Sequence, residues 1–198
     1  MKKLVIVAAA VLCGFMAQAS TVAWNCTNVK DSTGAAFSEG SVYVFFVAGN
    51  SAADTSSWAG LEGKGATAFT TALAGANFDY KKSDITAAAG TLSYNATTAG
   101  SALALDTVGL TGSTKYSAYA VIFDSETITD TTHYYVTAAS AASTTYGDTS
   151  SLTKSYTLNA SSSATAANWK SVGPVPEPTS GLLMLLGMAG LALRRKRA

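Results

Sequence analysis

The chain has 198 residues, 48% of them hydrophobic and 13% charged, a length that fits one domain with targeting ends. Six of its thirteen basic residues sit at the extremities, and between Ser20 and Pro174 seven lysines and no arginine stand against eleven acids, leaving a net −4. A mildly acidic body without arginine excludes nucleic acid as a partner class, because phosphate recognition rests on clustered Arg and Lys.

Lys2 and Lys3 open the chain, Leu4 to Met16 is wholly apolar, and Ala17-Gln18-Ala19 is a small-x-small site. This is the layout of a secretory signal peptide over 1–19, cut by signal peptidase between Ala19 and Ser20. The apolar stretch is too short to span a bilayer, which takes roughly 20 residues. Cys13 leaves with it, so Cys26 is the lone thiol of the mature chain and no intrachain disulfide forms. A body of about 150 residues is long enough to bury a core without such staples.

From Ser20 the composition turns to Ala, Ser, Thr and Gly with interspersed Tyr, Val and Phe, which favours short strands. An exported β-rich domain is expected over 20–158. Trp24 to Val29 reads as an opening strand and Lys30 to Gly40 as a turn. Ser41 to Ala48 is the clearest buried strand, apolar on both faces. Ala66 to Ala74 suits either a strand or a short helix. Phe78 to Ile85, with four charges, reads as a solvated turn region, and Thr91 to Asn95 and Ala102 to Val108 as short strands. Lys115 to Asp124 is the second strong strand, with Tyr119, Val121 and Phe123 on one face and Tyr116, Ala118, Ala120 and Ile122 on the other. His133 to Ala138 completes a hairpin with it across a long polar loop, and Leu152 to Leu158 is the last strand. The Ser, Thr and Ala of 159–174 read as a flexible spacer, within which Trp169 is a candidate to dock back. The fold class predicted is all-β, a β-sandwich-like antiparallel domain with an N-terminal signal helix and a single C-terminal membrane-spanning helix.

No catalytic set is expected. The body offers one histidine, His133, and one cysteine, Cys26, neither in a recognisable context, with no nucleophile elbow, phosphate loop or HExxH pair. Zinc needs three or four suitable ligands, which the body lacks, so neither metal nor cofactor is predicted. Asp124, Glu126 and Asp130 cluster in one loop, a pattern open to calcium or to glycosidic hydrolysis but usual for a solvated loop. Trp24, Trp58, Trp169 and nine tyrosines could stack on sugar rings, though such residues more often fill a core. Asn25, Asn95 and Asn159 head weak N-glycosylation triplets.

The end of the chain is the most specific part. Val175-Pro176-Glu177-Pro178-Thr179-Ser180 precedes an apolar run from Gly181 to Leu193, and Arg194, Arg195, Lys196 and Arg197 follow. Thirteen residues of helix span about 20 Å at 1.5 Å per residue, against a hydrocarbon core of roughly 30 Å. Snorkelling arginines narrow the gap, so the run suits a transient hold. The basic cluster stays cytoplasmic and leaves the prolines, which resist helix, extended beyond the outer face.

This order resembles the PEP-CTERM sorting domain of exported bacterial proteins over 175–198. The resemblance implies an exosortase, a membrane-embedded cysteine transpeptidase-like enzyme, as partner. It also implies Pro176, Glu177 and Pro178 as its recognition motif, and Arg194, Arg195, Lys196 and Arg197 as the membrane-retention cluster. Delivery to the cell surface or an exopolysaccharide matrix follows. The expected function is that of a non-enzymatic structural or adhesive surface protein. The alternatives are a carbohydrate-binding module and a carboxylate-based hydrolase.

Overall fold

The computed structural model describes residues 20–35, 37, 39–81, 85–88, 91–94, 102–147, 151–160, 163, 165–174, 184, 185 and 188. The signal peptide expected over 1–19, the sorting triplet Pro176, Glu177 and Pro178, the basic residues 194–197 and the Asn95 triplet lie outside them.

Two sheets and little helix make the body all-β. The first sheet runs β10 (Thr153–Asn159), β1 (Thr21–Thr27), β5 (Thr91–Tyr94), β4 (Ile85–Ala88), with β6 (Ala102–Ala104) also on β1. The second runs β11 (Lys170–Ser171), β8 (His133–Val136), β7 (Lys115–Phe123), β2 (Ser41–Ala48), β3 (Phe78–Lys81), with β9 (Ser143–Thr144) also on β7. Alternation builds the space between them. Val22, Trp24 and Cys26 of β1, Val42, Val44 and Phe46 of β2, Ala118, Ala120 and Ile122 of β7, and Tyr156 and Leu158 of β10 form one buried cluster. Each strand gives it every second side chain, as the two-residue period of a strand requires.

The long β2–β7 pair owes its two apolar faces to a second layer. Phe45 of β2 and Tyr119, Val121 and Phe123 of β7 point outward into a separate cluster with Trp58, Phe69, Leu73, Tyr134 and Val172. The cover is a 3-10 turn at Ser56–Leu61 and helix α1 (Ala66–Leu73), whose Phe69 and Leu73, four residues apart, face the sheet. Phe69 meets the Tyr134 ring at 4.6 Å and the Phe123 ring at 5.9 Å, both edge to face. The helix–strand ambiguity at 66–74 thus resolves as helix, because a pair at that spacing fits a groove over this face.

The turn before β2 is closed by Gly40, whose φ of +135° no residue with a side chain adopts readily. A Cβ there would also run into the Phe123 carbonyl and the Phe37 ring.

Three expectations are corrected. The first strand pair is parallel: β1 and β10 run side by side from Thr21↔Thr153 to Thr27↔Asn159, so the sandwich is mixed rather than antiparallel. The long excursion between these strands permits the crossover that parallel pairing demands. Residues 78–81, expected as a solvated turn, form edge strand β3 on β2. Their charge alternates with apolar rings, so Phe78 is buried while Asp79 stays in water. Asn77 pins the entry by accepting from the Phe46 amide at 2.8 Å and donating to the Val108 carbonyl at 2.9 Å.

The third concerns 159–174, expected as a flexible spacer. Ala160, Ser163, Trp169 and Val172 are buried, and β11 pairs with the start of β8. The Trp169 indole donates to the Ser163 carbonyl at 3.1 Å and lies 6.0 Å from the Tyr135 ring. Small residues here permit close approach, and the single large ring supplies the anchor. Among the described residues no helix is long and apolar enough to cross a membrane; Met184, Leu185 and Met188 of the tail are helical and exposed.

Candidate functional site

The loop 124–132 was the best candidate for chemistry, and its carboxylates do not converge. Asp124 accepts from the His133 amide at 2.8 Å, pairs with His133 Nδ1 at 3.0 Å and takes the Ser32 hydroxyl at 2.7 Å. Serine, aspartate and histidine therefore meet, but in the wrong order for nucleophilic catalysis. The hydroxyl is bound to the carboxylate, whereas an activated serine needs the imidazole as its base. Asp124 acts as a tie between the β1–β2 turn and the β7–β8 hairpin.

Asp130 turns the other way. Its Oδ1 accepts from the Ala66 amide at 2.9 Å, satisfying one of the free donors at the start of α1, where negative charge is also favoured. Glu126 is exposed. The loop closes on itself: Thr129 N donates to Thr132 Oγ1 at 2.9 Å and Ser125 Oγ to the Thr127 carbonyl at 2.9 Å. Among the described residues no three His, Cys, Asp or Glu gather as a metal site would require.

Cys26 is fully buried, and burial pushes its thiol up to about 12, so it stays protonated and chemically quiet. It lies in the core, while His133 stands exposed at the opposite sheet; the two are not a pair. Asp31 is pushed up by its partial burial. That effect is outweighed by hydrogen bonds from the Thr33 hydroxyl and the Thr33 and Ala35 amides, which hold it below the usual carboxylate range. These bonds shape a turn.

The tryptophans are withdrawn from any ligand. Trp24, Trp58 and Trp169 expose 2%, 4% and 6% of their surface, which leaves no ring face to stack on a sugar. Trp58 donates to the Tyr119 hydroxyl at 3.2 Å, and Tyr134, pushed up to about 12 by burial and then by Glu62, donates to the Trp58 carbonyl at 2.8 Å. One hollow of about 300 Å³ does pair a half-buried aromatic with an exposed carboxylate: it is lined by Tyr43, Thr70, Leu73, Ala74, Asp79 and Ile128. Of the glycosylation triplets, Asn25 sits within β1 and Asn159 ends β10 in the open.

The strongest local construction is one that composition concealed, the strap Trp169–Gly173. It is stitched on both sides. Val172 N donates to the Thr132 carbonyl at 2.9 Å and Gly173 N to the Asp130 carbonyl at 3.0 Å. From the other side Gly63 N reaches the Ser171 carbonyl at 3.1 Å and Gly65 N the Val172 carbonyl at 2.8 Å. Lys170 and Glu62 add an exposed ion pair at 2.8 Å, worth at most about 1 kcal/mol. Gly173 is required, since a Cβ would enter the Asp130 backbone. Burial of Val172 and Trp169 contributes about 1.5–3 kcal/mol each, so the strap is a fixed part of the body. The only signal of it in the sequence is Trp169, a large apolar ring among small polar residues.

Beyond the strap the chain passes to its tail. Residues 174–197 match the family model of the PEP-CTERM protein-sorting motif. The match takes in Pro176, Glu177 and Pro178 and the basic cluster from Arg194 to Arg197, and it implies export and processing by an exosortase. No curated protein and no solved structure matches the chain.

Proposed function

We propose that this chain, carrying a PEP-CTERM sorting motif, is an exported protein whose body serves at the cell surface or in an exopolysaccharide matrix as a structural or adhesive domain without catalysis. The match at 174–197 carries the reading. Signal peptidase cuts after Ala19, the apolar run 181–193 holds the tail transiently in the membrane, and Arg194, Arg195, Lys196 and Arg197 keep its end inside. The prolines of Pro176-Glu177-Pro178 disfavour helix by their own chemistry, which suits a segment offered to the exosortase. The non-catalytic reading is supported by the commitment of Asp124, Asp130 and His133 to structural hydrogen bonds. Fractionation of cells making the chain with and without 175–198 tests it. The full chain is expected at the surface in shortened form and the truncated one is not; equal delivery of both ends the reading.

A second reading is favoured by the hollow beside Tyr43, where an aromatic ring and Asp79 meet over a concave surface. A sugar would stack on the ring and be gripped by the carboxylate. Polysaccharide pull-down with the body, and its loss in Tyr43→Ala, supports carbohydrate binding; no retention across a broad panel rejects it.

A further inference from the structure

We propose that the end of the body where the strap leaves it is a docking face for the exosortase itself. The inference rests on the sorting reading above and adds where the enzyme meets the folded protein. Gly173 is buried and bonded to the Asp130 carbonyl, so the body is folded up to that residue. Pro176 lies three positions on, and three residues reach at most about 11 Å whatever conformation they take. That reach, measured from the exit at the body's surface, is no more than the diameter of one helix with its side chains, about 10–12 Å. An active site that receives Pro176, Glu177 and Pro178 therefore cannot be held clear of the body. Lengthening the tether by peeling the strap would pull Trp169 and Val172 out of their packing and break the bonds to Asp130, Thr132, Gly63 and Gly65, so contact is the cheaper course.

The surface around the exit consists of Glu62, Lys64, Asp130, Thr131, Lys170 and Pro174. All but the half-exposed Lys170 are open to solvent, and the two acids balance the two lysines. A balanced polar surface suits a protein rim. Anionic headgroups would select clustered Lys and Arg instead, which this face lacks.

The test uses the full chain in cells that hold the exosortase, with a photo-crosslinking phenylalanine replacing Lys64 or Thr131 on the face. Lys115, exposed at the far end of β7, is the control position. Adducts with the exosortase are expected several-fold more often from 64 and 131 than from 115. Continued shortening of the chain with no such preference, or with adducts to lipid alone, overturns the docking face. Absence of exosortase-dependent shortening in the unsubstituted chain overturns the sorting reading instead, so the two failures are told apart.

Discussion

On one side of Pro174 the chain is held by everything around it, and on the other it carries an instruction that needs nothing around it. The strap 169–173 has no regular apolar pattern, yet its backbone is bonded to the loop at Asp130–Thr132 and to the turn at Gly63–Gly65. The tail has a proline motif, an apolar run and a basic cluster in strict order, and it matches a family model over 174–197. Fold and address thus adjoin with no linker between them. The difference teaches that stability and delivery should respond to separate sets of substitutions, although the residues are neighbours.

The largest effect expected is the loss of surface delivery when 175–198 are removed, with thermal stability of the body unchanged. A drop in the melting temperature of the truncated body would show that the tail also supports the fold. On the other side of the boundary, Trp169→Ala should cost about 3–5 kcal/mol, the range for removing a buried aromatic. Denaturant unfolding reads it directly. A cost below about 1 kcal/mol, the scale of a surface change, would make 159–174 the spacer its composition suggested. Gly173→Ala should cost about 1–3 kcal/mol through overpacking against the Asp130 backbone. Its tail should still be shortened, though less of the chain will be folded.

The effect that is silent at neutral pH is a pH dependence confined to the body. Below about pH 8.5 the Cys26 thiol is neutral both folded and unfolded. As pH rises further the unfolded thiol ionises, while the buried one, pushed up to about 12, does not, so stability falls from about pH 8.5 toward 12. Tyr134 and Tyr156, also pushed up to about 12 by burial, add to the decline from about pH 10. In Cys26→Ala the decline should begin near pH 10 instead, and an unchanged onset in urea unfolding at stepped pH would refute the assignment.

Some of the fold was legible in advance for a definite reason. Ser41–Ala48 and Lys115–Phe123 are long apolar runs whose two faces could be listed from the two-residue period, and both faces of β7 are packed as listed. Phe78–Lys81 escaped because its charges occupy the positions that face water on an edge strand, which resembles a turn until its partner is known. Asp124, Glu126 and Asp130 looked like one site because they are close in sequence. In space Asp124 is claimed by Ser32 and His133 and Asp130 by α1, and proximity along a loop does not decide which way a carboxylate turns.

The sequence by itself determined the protein's address. A sorting tail works through hydrophobic length and the order of its charges along the chain, so its physics is linear and survives without a fold. Only the tertiary structure decided that 169–173 belong to the body, that β10 pairs parallel with β1, and that the tryptophans are core. Those outcomes depend on partners about 40 to 130 residues away in sequence, which local composition does not encode.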